Sequence, residues 1–195
     1  MNVADFWRFL ELSARETTDL RHRAAWLEYR LSRIATEHIV DFQIHLDTAR
    51  RPIDTWDMLG AGNLIMDGLC GGDSFWYFQP WLIGQGHHWW QHAVRNPDNL
   101  ADLPAVQALA GRRPRQWPDA EWPQFEDLAY VASSAYDMRT GEGEGIDDAL
   151  GERGHHRPSD PVMNGKPWDL DSLAEIQRRM PKLSRIFPRH HHLNP

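Results

Sequence analysis

Apolar residues recur at helical spacing along most of this chain, and strands do not alternate with helices as a parallel sheet would require. Phe6, Phe9, Leu10 and Ala14, following Asp5, predict a helix over about 5–15. Leu20, Ala24, Leu27, Leu31 and Ile34 follow Asp19 and predict a second; Ile39, Phe42, Ile44 and Leu46 follow Thr36 and predict a third, which Pro52 stops. The mostly apolar stretch Thr55–Met66 reads as a helix buried on several sides, with Gly60 and Gly62 permitting close backbone approach. A turn at Gly68, Gly71 and Gly72 precedes a helix carrying Phe75, Phe78, Trp81, Leu82 and Ile83, with Asp73 or Ser74 as its cap. Gly84 and Gly86 interrupt it before a helical stretch from His87 to Val94, which Asn96-Pro97-Asp98 closes. A short helix near Leu103–Ala110, an extended connector at Pro114, Pro118 and Pro123, and a large helix over Gln124–Arg139 follow.

Between Gly141 and Pro167 apolar residues are few, too few to offset the entropy of ordering, and a mobile loop is expected. A last helix, Asp171 to Arg179, precedes Pro181, with Leu183, Ile186 and Phe187 docking back as an anchor. The expected fold is all-α: one compact multi-helix domain over 1–140, a mobile loop over 141–167, and a C-terminal helix and tail over 168–195. The tail run His190–His192 reads as a solvated end that binds metals only adventitiously.

Composition supports a folded domain, because 41% of the 195 residues are apolar and ten are Trp. The longest uncharged apolar stretches, such as Phe75 to Ile83, are much shorter than the roughly 20 residues that cross a bilayer, so no membrane span is expected. The start of the chain lacks the features of a secretory signal, and a single cysteine, Cys70, suits a reducing compartment; a cytoplasmic location is the expectation. A net charge of −7 and the absence of a long basic run argue against nucleic acid as a partner.

Several blocks carry a family resemblance: Phe6-Trp7, Trp56 to Ala61, Gly71-Gly72-Asp73-Ser74-Phe75, Tyr77-Phe78, Trp81-Leu82-Ile83-Gly84-Gln85-Gly86 and Asn96-Pro97-Asp98-Asn99-Leu100. Over roughly residues 4–102 the chain resembles the bacterial family known as domain of unknown function 4240. It departs from that pattern at Gly72-Asp73-Ser74, where the family has a more acidic turn, and at Gln79, where the family usually has Arg. The resemblance implies no established reaction, only an association with regulation.

No complete catalytic constellation is readable. His88 and His92 are spaced as two imidazoles facing one metal, but Trp89 stands where a zincin needs Glu. His38, Asp41 and His45 share a helical face that also suits a solvated surface. No metal site is expected from either set, and no cofactor, because the glycines lack phosphate-loop spacing. Cys70 precedes a helix start that would lower a thiol pKa, although a lone cysteine is more often a small buried hydrophobe. The place singled out for a ligand or partner is Asp57, Asp67 and Asp73, with Tyr77 and Trp81 beside them. Trp76, Trp81, Trp89 and Trp90 are candidates for stacking; Trp89 and Trp90 cannot share a helix face, which suggests an exposed Trp and a protein partner. The expected function is a binding or regulatory interaction module. The alternative is an enzyme, of hydrolase type, using the clustered carboxylates.

Overall fold

The computed structural model describes residues 1–141, 143 and 145–189, and among these it has helices and no strand beyond an isolated bridge between Thr55 and Asn164. The run His190–His192 lies outside the described residues. None of the described helices is long and apolar enough to cross a membrane.

Some helices start where a side chain satisfies a free amide of the first turn. Helix α1 (Val3–Glu16) starts on Asn2, whose side chain accepts from the Asp5 amide, three residues before the expected cap takes effect. Helix α2 (Leu20–Leu31) starts on Asp19, which accepts from the His22 amide at 2.8 Å. Helix α3 (Thr36–Arg50) has no side-chain cap and ends in a 3-10 turn at Arg51–Ile53 containing Pro52. Helix α4 (Trp56–Ile65) is capped by Thr55. Its glycines are needed for close approach: a Cβ on Gly60 would lie 2.3 Å from the Trp168 ring, and one on Gly62 would lie 2.9 Å from Cys70 Sγ.

Helix α5 (Asp73–Gly84) corrects the expected cap, since neither Asp73 nor Ser74 serves. Gly72 takes that position at φ +51°, a conformation that favours glycine, so backbone geometry rather than a side-chain oxygen starts the helix. Helix α6 (His87–Arg95) leads to a 3-10 turn at Pro97–Asp102 capped by Asn96, and α7 (Pro104–Gln107) is a single turn. The single helix expected over Gln124–Arg139 is two pieces, a 3-10 turn at Glu126–Ala129 and α8 (Val131–Thr140). A tertiary contact delays its start: the Phe125 amide donates to the Tyr77 carbonyl, and the Phe125 ring is buried between Gly84 and the Arg23 guanidinium.

The stretch expected as a mobile loop holds helix α9 (Gly145–Glu152), which buries Ile146 and Leu150 against α3 and α8. One apolar pair four residues apart supplies a narrow stripe, enough for a two-turn helix with a surface to dock on. Further on, Asn164 exchanges backbone hydrogen bonds with Asp54 and Trp56. Helix α10 (Leu173–Arg179) and the single turn α11 (Leu183–Ile186) return to the domain, with Met180, Leu183 and Phe187 buried as the anchor.

Helix α3 is central: α1, α5, α8 and α9 all pack on it, while α2 lies across α1 and α8. Phe6, Phe42, Phe78 and Leu27 are fully buried in this core.

Candidate functional site

A helix enclosed by four neighbours has no broad solvent face, so its polar residues are drawn inside. On α3, Gln43, Asp47 and Arg50 are spaced i, i+4 and i+7, share one face and are 2%, 4% and 3% exposed. Asp54, just beyond α3, and Gln79 on α5 are buried beside them. Burial of so many polar groups is tolerated only if they pair with one another or with something else.

The pairing is incomplete. Asp47 accepts from Gln43 Nε2 at 2.9 Å and meets His155 Nε2 at 2.8 Å, and the Asp54 carboxylate accepts from Gln79. Arg50 lies between these two carboxylates and hydrogen-bonds to neither. Its guanidinium rests on the Trp76 ring, 3.8 Å from the centroid, while Nε and Nη2 have no acceptor. Gln43 Oε1 and Gln79 Oε1 likewise have no donor. Burial pulls the Arg50 pKa down to about 10, against the opposing pull of Asp47 and Asp54. Burial also pushes the Asp54 carboxyl up, partly countered by Gln79 and Arg50.

Gln43, Asp47 and Arg50, but not Asp54 or Gln79, line a cavity of about 510 Å³. The segment after α9 forms the opposite side, contributing His155, His156, Arg157 and Ser159. Arg157 is anchored at the rim, donating to Ser133 Oγ at 2.9 Å and to the Ala129 carbonyl at 3.2 Å, with Asp147 at 3.5 Å. Trp76 and Tyr130 supply aromatic surface.

Arg153 ties the same segment to α3 through Asp41 at 2.6 Å. Burial would raise the Asp41 carboxyl, but hydrogen bonds from the Met1 amino group, Arg153 and His38 outweigh it and hold the pKa at about 2. A carboxyl depressed below its unfolded value of 3.8 stabilises the fold above that value, and the contribution is lost as pH falls towards about 2. Asp41→Asn is therefore expected to lower the urea midpoint at neutral pH, with the difference from the parent chain shrinking as pH falls from about 4 towards 2.

The residues singled out from sequence lie elsewhere and do not converge. Asp57, in the first turn of α4, accepts from Arg179 at 2.8 Å beside a separate cavity of about 280 Å³. Asp67, at φ +51° in the turn after α4, borders a third cavity with Arg112 and Arg113. Asp73 is exposed at the start of α5, and Trp81 is buried against Phe78. Tyr77 is half-buried and hydrogen-bonded to Glu126, which pushes its phenol up to about 12. These three line neither cavity. Of the stacking candidates only Trp76 reaches the Arg50 cavity. Trp89 and Trp90 are both partly buried, and the Trp90 indole donates to the Ala49 carbonyl at 3.0 Å, so neither stands free as the exposed Trp that was expected.

Among the described residues no three His, Cys, Asp or Glu side chains gather as metal ligands. The His88 and His92 rings stack 6.2 Å apart, with His92 3.3 Å from Asp102. His38 contacts Asp41 at 3.3 Å, and His45 contacts the Met1 carbonyl. Cys70 is buried against α4, and burial pushes its thiol up to about 12, the opposite of an activated nucleophile.

The Arg50 cluster escaped the sequence reading because Gln43, Asp47 and Arg50 look like an outer face. The signal that could have exposed it is that α3 also carries apolar residues on its other faces, at Ile39, Val40, Phe42, Leu46 and Ala49, all buried.

Comparison with known proteins adds a family and no activity. No curated protein and no solved structure matches the chain. A family model described as "Protein of unknown function (DUF4240)" matches residues 1–138, which takes in α1 to α7, most of α8 and every α3 and α5 residue of the cluster but stops before His155 and Arg157. With more than half its length matched, the chain belongs to the DUF4240 family.

Proposed function

We propose that this chain is a binding module and that the cavity over Arg50 receives a small molecule. The observation that carries this reading is a buried arginine that lines a cavity and has two donor nitrogens without an acceptor. A polar cluster kept only for the fold is expected to be fully satisfied, because each unmet buried group costs about 1–3 kcal/mol. A cavity of about 510 Å³ falls within the usual range for small-molecule sites. Ligand-observed NMR with a mixed library of neutral and charged compounds tests the reading. Binders are expected, and Ser159→Trp, which places an indole at the rim, is expected to displace them. Absence of binders, or binding indifferent to that substitution, would remove the reading.

A second reading, an enzyme, has one observation in its favour. The Asp47 carboxylate meets His155 Nε2 and thereby orients an imidazole whose Nδ1 is left to act as a base. Turnover of a bound compound that disappears in His155→Gln while binding persists would favour it over simple binding.

A further inference from the structure

We infer that the group received in this cavity is a phosphate, free or at the end of a small phosphomonoester, held by Arg50 and Arg157. The inference rests on the binding reading just given and adds the chemistry of the ligand.

The donors of Arg50 without an acceptor are Nε and Nη2, which form one edge of the planar guanidinium. That edge matches two oxygens of a carboxylate or a phosphate in a paired arrangement, which a single carbonyl or hydroxyl does not fill. The two nearby carboxylates are already engaged, Asp47 by Gln43 and His155 and Asp54 by Gln79, so an outside anion has no internal rival for the edge. Arg157 adds a second guanidinium from the facing segment, fixed by Ser133 and the Ala129 carbonyl and only loosely met by Asp147 at 3.5 Å. His155 and His156 border the same space, and the acidic residues facing it are Asp47 and Asp147.

Gln43 decides between the two anions. Its amide orientation is determined by chemistry, because Nε2 points at Asp47, an ionised carboxylate that only accepts. Gln43 Oε1 is thereby left as an unpartnered acceptor, 2% exposed as a residue and on the same cavity wall as Arg50. A carboxylate ligand would satisfy Arg50 and leave that oxygen bare. A phosphate that retains one P–OH accepts from Arg50 and donates to Gln43. The distinction is between a ligand with acceptors alone and one with both, at a wall that offers both.

Isothermal titration of the full chain with inorganic phosphate, phenyl phosphate and benzoate tests this, with the fold of each variant checked by thermal melting. Phosphate or phenyl phosphate is expected to bind at least roughly ten-fold more tightly than benzoate, the scale of one charge-assisted hydrogen bond. Tighter binding of inorganic phosphate than of its phenyl ester identifies the free ion as the ligand, and the reverse identifies a phosphomonoester. Arg157→Ala at the rim and Arg50→Lys, which keeps the charge but loses the paired edge, are each expected to weaken phosphate roughly ten-fold or more. Gln43→Met is expected to narrow the gap between phosphate and benzoate. Benzoate binding as tightly as phosphate, or phosphate binding unmoved by Arg157→Ala and Arg50→Lys, overturns the inference. If neutral compounds displaced by Ser159→Trp bind while no phosphate does, the phosphate assignment fails and the binding reading stands. If nothing binds, both fail.

Discussion

Phe78→Ala is expected to destabilise the fold by about 3–5 kcal/mol, the range for emptying a fully buried aromatic site. Phe78 is 0% exposed on α5, stacked 5.5 Å from Trp81 and 6.2 Å from Phe75. Its ring also lies over Gly62, where an added Cβ would come within 3.6 Å of it. The helices approach closely because glycine leaves room for the ring, so neither backbone can collapse far into the space a deletion creates. Urea unfolding followed by circular dichroism should show a lower midpoint with an unchanged slope. Leu69→Ala, at a residue 56% exposed, serves as the contrast and is expected to change stability by less than about 0.5 kcal/mol. Equal effects of the two substitutions would contradict the assignment of Phe78 to the core.

Asp98→Ala is expected to cost about 3 kcal/mol and to free the C-terminal segment. The Asp98 side chain is 2% exposed, and its carboxylate accepts from the backbone amides of Lys182, at 3.0 Å, and Leu183, at 2.8 Å. Those amides start α11, and the anchor residues Met180, Leu183 and Phe187 follow from their placement. Removing the carboxylate leaves two donors without partners at a buried junction, which costs more than the hydrogen bonds are worth net. Limited proteolysis should cut the variant around residues 180–189 while the rest stays resistant. Asp98→Asn, which keeps one acceptor, should fall between the two. Cutting no faster than in the parent chain would show that apolar docking alone holds the segment.

Helix positions were legible wherever a capping side chain and an apolar stripe coincided. Asp19 caps α2 where the sequence pattern begins, and the α4 cap Thr55 and the turn at Asn96 stand at the boundaries expected there. The misreadings arose where tertiary contacts overrode local pattern. The helix expected from Gln124 starts late because the Phe125 amide found the Tyr77 carbonyl, and α9 formed because Ile146 and Leu150 met a surface that other elements had built. The candidate site was the least legible part. Gln43, Asp47 and Arg50 form no motif in the sequence, and only the packing of α5, α8 and α9 around α3 encloses them. His155 and Arg157 complete the cavity from a stretch whose low apolar content predicted a mobile loop. Asp57, Asp67 and Asp73 are near one another in sequence, but α4 separates Asp57 from Asp67 and the turn after it separates Asp67 from Asp73 at the start of α5.

The central claim is that the Arg50 edge, unmet by the protein's own carboxylates, takes a ligand anion. Nitrogen-15 NMR of the arginine side chains measures this directly, with Arg50→Lys identifying the Arg50 Nε–H resonance by its loss. That resonance is expected to shift on addition of inorganic phosphate and to stay in place in Ser159→Trp. A resonance that phosphate leaves unmoved in the parent chain would contradict the claim.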